Sequence, residues 1–302
     1  MKNNPIRTMI AGTLLFGLNQ MAVAQQDFSN VEIQTTDLGG DVYMLQGRGG
    51  NIGVSIGDDG IFVIDDQFAP LSEKIMAAIA ELSDKPVSYV LNTHWHGDHT
   101  GGNENFGNSG AVIVAHENVR ERMSTKQFIV AFGREVPAAP DAALPVVTFT
   151  DSVSFHFNGN EIMVRHMPVS HTDGDSIVFF SESNVLHMGD TFFNGFFPFI
   201  DQSSGGTLEG LISTVETAVG MVNADTDVIP GHGPLSNLDG LKNYLAMLTE
   251  VRDQMQPLLD SGKSREDVLA ANPLAEIGET WGNGFIKTDV FTGILYDIAV
   301  QK

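Results

Sequence analysis

Apolar and polar positions alternate in short bursts over the first third of the chain, then switch repeatedly to a helical spacing. Val31 to Gln46 reads as two short strands about Gly39-Gly40. Asn51 to Ile64 reads as a hairpin whose apolar runs flank Asp58-Asp59-Gly60, a composition that suits a tight turn. Leu71 to Leu82 repeats apolar residues at helical spacing, with Ser72 and Glu73 at its start. Val87 to Leu91 is a short apolar strand, Gly101 to Phe106 opens a helix, and Ala111 to Ala115 is a strand. Glu117 to Phe132 reads as helical with breaks, and the proline- and alanine-rich Pro137 to Pro145 as a loop. Val146 to Met167 forms strands about Asn158-Gly159-Asn160, and Ser176 to Phe180 with Val185 to Met188 forms another pair. Thr207 to Val222 and Leu238 to Leu259 read as helices on either side of a short strand, Val228 to Ile229; Ser264 to Ala271 and Asp289 to Val300 are helical. This order predicts a mixed α/β (α+β) chain: two β/α halves in one domain, with helices outside stacked sheets.

Composition narrows the function. The 302 residues are 42% hydrophobic and 18% charged, which excludes wholesale disorder. Acidic residues number 38 against 16 basic ones, a formal charge of −22. Such a surface has no cationic surplus for nucleic acid or for anionic lipid. Cysteine is absent, so disulfides, thiolate metal sites and a cysteine nucleophile are excluded. Residues 1–24 read as a signal peptide: Lys2 and Arg7 form a positive start, Met9 to Leu18 a short apolar run, and Ala22-Val23-Ala24 a cleavage site. The expected product is periplasmic or secreted, without a membrane anchor once the leader is removed near Ala24. Residues 25–302 form a single domain in this reading, with 238–302 as a C-terminal helical extension. The oligomeric state is left open.

The chemistry concentrates after the strand Val87 to Leu91. The segment His94-Trp95-His96-Gly97-Asp98-His99 offers four potential ligands within six residues. Imidazoles two apart on a turning chain can converge on one ion, and neutral imidazole with carboxylate suits zinc, iron or manganese. Three further candidates, His171, Asp190 and His232, each follow an apolar strand and have glycine nearby, where rigid scaffold meets adaptable loop. His116, His156 and His166 are read as structural, and so is His187, with a place behind the site, near Asp190, as its minor alternative.

His-x-His-x-Asp-His, then His, Gly-Asp and Gly-His-Gly, in this order between residues 52 and 234, resembles the metallo-β-lactamase-fold hydrolase superfamily. The resemblance implies a four-layer αββα sandwich of two mixed sheets flanked by helices, with a dinuclear site at one edge. It implies that His94, His96 and His171 hold one metal, that Asp98, His99 and His232 hold the other, and that Asp190 bridges them. Asp65 matches the family's early aspartate and is expected behind the ligands, orienting an imidazole. The familiar β-lactamases of this fold carry Cys or Ser where Asp190 stands; Gly-Asp-Thr-Phe-Phe is instead similar to glyoxalase II-type thioesterases and lactonases.

The expected function is an exported hydrolase with two Zn2+ per chain, iron or manganese suiting the same donors. It would open an ester, lactone or lactam of a small-molecule acyl substrate through a metal-bridging hydroxide, with Asp98 as catalytic residue. Phe192, Phe193, Phe196, Phe197 and Phe199 are candidates for an apolar wall or lid over the metals, the alternative being core packing. Gly47 to Asn51 is a flap or a strand connection. The alternatives are a mononuclear-iron dioxygenase resembling persulfide dioxygenases, a hydroxyacylglutathione thioesterase, and a non-catalytic metal-binding protein. Thioesterases of this kind hold glutathione with a basic C-terminal region, whereas Thr280 to Lys302 carries only Lys287 and Lys302 as cations.

Overall fold

The computed structural model describes residues 27–300. The signal peptide expected at 1–24 lies outside them. Seven strands form the first sheet: β1 (Gln34–Asp37), β2 (Val42–Gln46), β3 (Ile52–Gly57), β4 (Gly60–Ile64), β5 (Val87–Asn92), β6 (Val112–His116) and, beyond two intervening short strands, β9 (Val147–Phe149). It is antiparallel from β1 to β4 and parallel from β4 to β9. The second sheet has five strands in sequence order: β10 (Ser152–Phe157), β11 (Asn160–His166), β12 (Ser176–Phe180), β13 (Val185–His187) and β14 (Asp227–Ile229), the last two parallel.

The alternation within strands sorts residues into layers. In β4, Phe62 and Ile64 face the second sheet, where they join Val42, Met44 and Leu91 against Ile162, Val178 and Phe180. Its other residues, Ile61 and Val63, face helix α1 (Ser72–Leu82) through Ile75 and Ile79. A strand covered on both faces reads as a continuous apolar run, and Gly60–Ile64 is buried throughout. On the far side, Ile177, Leu186 and Val228 pack with Leu211 and Val215 of α5 (Leu208–Met221) and with α6 (Leu238–Asp260). The result is the expected αββα sandwich. Among the described residues, no helix is long and apolar enough to cross a membrane.

Three segments differ from the pattern. The helix expected at 101–106 runs instead as α3 (Asn103–Asn108), with a separate single turn, α2 (Gly97–Thr100), just before it. A Cβ on Gly101 would lie 2.7 Å from the Gln67 carbonyl oxygen and one on Gly102 would lie 2.8 Å from that of Asp66, so both glycines permit a close approach that a continued helix would not make. The helix expected through 117–132 ends at Met123, as α4 (Glu117–Met123). The chain then makes a small hairpin, β7 (Gln127–Ile129) with β8 (Arg134–Val136), turning at Gly133 with φ +57°. Polar Ser124 and Thr125 end the helix, and the aromatic and β-branched pair Phe128-Ile129 favours the strand. Among the C-terminal helices, α7 (Arg265–Ala271) and α9 (Thr288–Val300) enclose an unanticipated short one, α8 (Ala275–Trp281).

Candidate metal centre

All the candidate ligands lie just past the carboxyl ends of strands. His94, His96, Asp98 and His99 follow β5, His171 follows β11, Asp190 follows β13, and His232 follows β14. Because β11, β13 and β14 run in the same direction, their loops emerge at one edge of the sandwich. His94, His96, His171 and Asp190 gather there as one cluster of potential ligands, and Asp98, His99 and His232 as a second. Asp190 stands between them. Its Oδ1 lies 3.0 Å from His99 Nε2 and 3.3 Å from His232 Nε2, while its Oδ2 lies 3.5 Å from His171 Nε2 and 3.8 Å from His94 Nε2. The Asp98 carboxylate is 3.3 Å from His232 Nε2 and a quarter exposed, at the open side of the cluster.

The outer nitrogens fix which inner nitrogens carry lone pairs. His99 Nδ1 donates to Asp65 Oδ2 at 2.7 Å. Asp65 also accepts from the Thr93 amide and hydroxyl, both at 2.8 Å, so Thr93 Oγ1 in turn accepts from His94 Nδ1 at 3.1 Å. His96 Nε2 donates to Asp201 Oδ2 at 3.1 Å, and His171 Nδ1 to the Phe199 carbonyl at 2.7 Å. His94, His96 and His171 therefore each turn an unprotonated nitrogen inward. His96 Nδ1 meets His94 Nε2 at 3.2 Å and His171 Nε2 at 2.9 Å. Lone pairs that close repel unless a cation lies between them. Asp190 Oδ1, buried between His99 and His232, completes a donor set that fits a divalent metal in its nitrogen and oxygen chemistry.

The electrostatics divide along the same line. Burial, reinforced by the neighbouring rings, holds His94 well below the usual histidine range, and burial takes His171 down to about 4. In the other cluster burial is outweighed by carboxylates. Asp190 and Asp65 hold His99 well above its usual range, and Asp190 with Asp98 pushes His232 up to about 9. Burial works against the Asp190 and Asp98 carboxylates as well, yet His232 and His99 keep both below the usual range. A metal in that second cluster would take the place of the protons these carboxylates attract.

Backbone bracing sets the ligand loops. Gly50 sits against the His99 ring, where a Cβ would come within 2.1 Å of Cε1. Its amide donates to the Asp98 carbonyl at 3.0 Å, and the Asn51 amide to the Gly231 carbonyl at 2.7 Å. Gly47 to Asn51 is thus a braced connection across the site rather than a free flap. His187 accepts from the Gly189 amide and donates to the Asn51 carbonyl, at 3.2 and 3.1 Å, so it holds the backbone that presents Asp190. His116 caps α4, accepting from the Asn118 amide, and stacks on His166. Neither belongs to the cluster.

The phenylalanines separate. Phe193 stacks on His232 with ring centroids 5.3 Å apart, and half-buried Phe196 packs beside it. Phe192 and Phe197, expected in a pocket wall, are fully buried against Tyr244 and Phe291 instead. Side chains in the short run Phe192–Phe197 point in different directions, and these two point into the helical layer. Phe199, also expected in that wall, does lie against the His96 and His171 rings; Asp201 was missed. Asp201 binds His96 and accepts from Ser204 Oγ at 2.6 Å, but lies eleven positions past Asp190 with no spacing signal.

A sandwich of two mixed sheets with histidine and aspartate ligands gathered at its edge is the architecture of metal-dependent hydrolases. The model of the metallo-beta-lactamase superfamily matches residues 36–235. The chain belongs to that superfamily. Hydroxyacylglutathione hydrolase of Nitrosococcus oceani is 26% identical over 196 residues, which are 61% of this chain and 66% of that protein. The chain thus spans just under two thirds of this curated relative. A solved metallo-beta-lactamase from Pontibacter korlensis superposes with a TM-score of 0.57 at 18% identity, covering 72% of this chain and 99% of its own. A double mutant of the sec-alkyl sulfatase PisA1 superposes with a TM-score of 0.65 at 16% identity, covering 88% of this chain and 50% of its own. Both structural likenesses bear on the fold.

Proposed function

We propose that this protein is a dinuclear zinc-dependent hydrolase that opens an ester, lactone or lactam. The observation that carries the reading is the gathering of imidazole nitrogens and carboxylates into two groups at one sheet edge, with one carboxylate, Asp190, offering an oxygen to each. His94, His96 and His171 would hold one ion, Asp98, His99 and His232 the other, and Asp190 both. Two such ions supply Lewis acidity, which lowers the pKa of water toward neutrality and draws electron density from an acyl carbonyl. Asp98, ionised and at the open side, orients the attacking water. Asp65 and Asp201 hold the His99 and His96 rings at fixed angles, and Phe193 backs His232. The chain needs no serine or cysteine nucleophile for this chemistry.

The second cluster favours hydrolysis over the mononuclear-iron dioxygenase, which would leave Asp98, His99 and His232 without a role. The scarcity of cations after Thr280 weighs against a glutathione thioester, although one relative is a hydroxyacylglutathione hydrolase. Export through a leader at residues 1–24 belongs to the same proposal, and N-terminal sequencing of the secreted material, expected to begin after Ala24, checks it. The activity is tested by offering the purified protein a p-nitrophenyl ester, a homoserine lactone and nitrocefin, before and after chelation. We expect turnover of at least one, lost with EDTA and restored by zinc. No turnover of any, with zinc bound, would contradict the reading.

A further inference from the structure

A run of phenylalanine rings leads from the histidine cluster to open solvent. Phe199 lies 5.7 Å, centroid to centroid, from both His96 and His171. Phe132 lies 4.7 Å from Phe199, and Phe285 lies 5.4 Å from Phe132. Exposure rises along the run, from 6% at Phe199 to 41% at Phe132 and 75% at Phe285. Phe128 and Val130, on the same hairpin as Phe132, are each more than half exposed. Large apolar side chains gathered in water mark a binding surface.

These rings are held in place by the fold. The β7–β8 hairpin is anchored through buried Ile129, through the Val130 amide donating to Ser203 Oγ at 2.9 Å, and through Gln127 bonding to Arg122. Ser203 belongs to the turn whose Asp201 binds His96, so the hairpin and the cluster share one support. Phe285 stands on a loop fixed on both sides. Gly284 lies flush on Phe196, where a Cβ would come within 2.5 Å, and Ile286 is buried in the helical layer. The Phe197 amide donates to the Trp281 carbonyl at 2.8 Å, tying the same loop to the segment that follows Asp190. Phe285 also lies outside residues 36–235, the part matched by the family model. The C-terminal helices therefore deliver a ring to the mouth of the site from beyond the family domain.

We propose that Phe199, Phe132 and Phe285 form a strip that binds the apolar chain of the substrate, a medium-length acyl or alkyl group whose scissile carbonyl lies at the histidine cluster. The proposal rests on the hydrolase reading above and names the substrate class of that site. Continuity identifies the occupant. The strip begins against two of the metal-binding rings, so whatever lies along it is joined to the group that reacts there. An anionic membrane surface is disfavoured by the chain's charge of −22. On the hairpin itself, Lys126 is paired with Glu135 at 3.0 Å.

The test uses two readouts on the zinc-loaded protein and on Phe132→Ser and Phe285→Ser, both exposed positions where folding can be confirmed by far-UV circular dichroism. The first is kcat/KM for p-nitrophenyl acetate, butyrate and octanoate. The second, independent of turnover, is binding of the uncharged fluorophore N-phenyl-1-naphthylamine and its displacement by 1-octanol. We expect kcat/KM to rise about two- to fourfold per added methylene, and the octanoate-to-acetate ratio to fall about tenfold in Phe132→Ser. Fluorophore affinity should weaken in both variants. An unchanged chain-length ratio with unchanged fluorophore binding would overturn the strip while leaving hydrolysis intact. Variants that alter only the oligomeric state by light scattering would overturn it too, assigning these rings to a second copy of the chain. If no ester, lactone or lactam is turned over, but the fluorophore binds and both variants release it, the strip stands and the hydrolase reading fails.

Discussion

Asp201 and His96 show how much of the site depends on single side chains behind the ligands. His96 presents Nδ1 to the cluster only while Nε2–H has an acceptor, and that acceptor is Asp201, held by Ser204 Oγ and by the Ser203 amide. Asp201→Asn keeps the shape but offers a weaker acceptor, or a donor where none is wanted. Such support is worth about 10- to 100-fold in metal affinity; zinc titration of the variant against a competing chelator should show a loss in that range. Affinity within about twofold of the unaltered protein would mean that His96 needs no such support. A second prediction concerns His171 and His187, both taken down to about 4 by burial from an ordinary 6.5. Below pH 6.5 the unfolded chain protonates both rings while the folded chain keeps them neutral. At these two rings the folded state then binds fewer protons, so their contribution to the stability of the metal-free protein falls as pH drops from 6.5 toward 4, opposed over the same window by Asp175, which burial pushes up to about 8. Each ring contributes on the order of 3 kcal/mol. Urea midpoints of chelated protein and of His187→Gln at either end of that window check the sign: the variant should lose less stability toward acid, and an equal or greater loss would contradict it. Residues with a local pattern were readable: the His-x-His-x-Asp-His run, and His116 beside the start of α4. Asp201 was not, because only the folded loop brings it to a ring 105 positions away in sequence.

At the level of elements, each ligand loop follows a strand whose alternation was plain, and so the strands of both sheets could be read. What failed was local. Glu117 to Phe132 has enough apolar residues for a helix, but pairing across Gly133 gives Gln127–Ile129 and Arg134–Val136 a ladder instead. Phe192 and Phe197 lie beside Asp190 in sequence, yet their direction depends on Tyr244 and Phe291, far along the chain. The connection Gly47 to Asn51 gives the sharpest element-level prediction. Gly50→Ala would place a methyl group within 2.1 Å of the His99 ring, so the ring must shift and the second metal position loosens. Spectroscopic titration with cobalt should then show one tight position retained and the other weakened about tenfold or more. Two unaltered positions would mean that the braced loop yields instead of His99.

Across the whole molecule, two sheets contribute to one edge. Asp65 and the His94–His99 run come from the first sheet, and His171, Asp190 and His232 from the second. Metal therefore ties the halves together, and removing it should lower the melting temperature by mass action. The acidic surplus and the absence of cysteine were legible at this scale. The part played by residues beyond 235 was not, since a helical period gives no sign that the loop after α8 will set Phe285 beside Phe132. Hydrolysis by this site requires two metal positions sharing Asp190. The most direct measurement is the metal content of the protein purified without added metal, by inductively coupled plasma mass spectrometry, alongside Asp98→Ala. We predict about two zinc ions per chain in the unaltered protein, and about one in a folded Asp98→Ala that has lost most hydrolysis. One iron per chain, equal in both proteins and without hydrolysis, would contradict it.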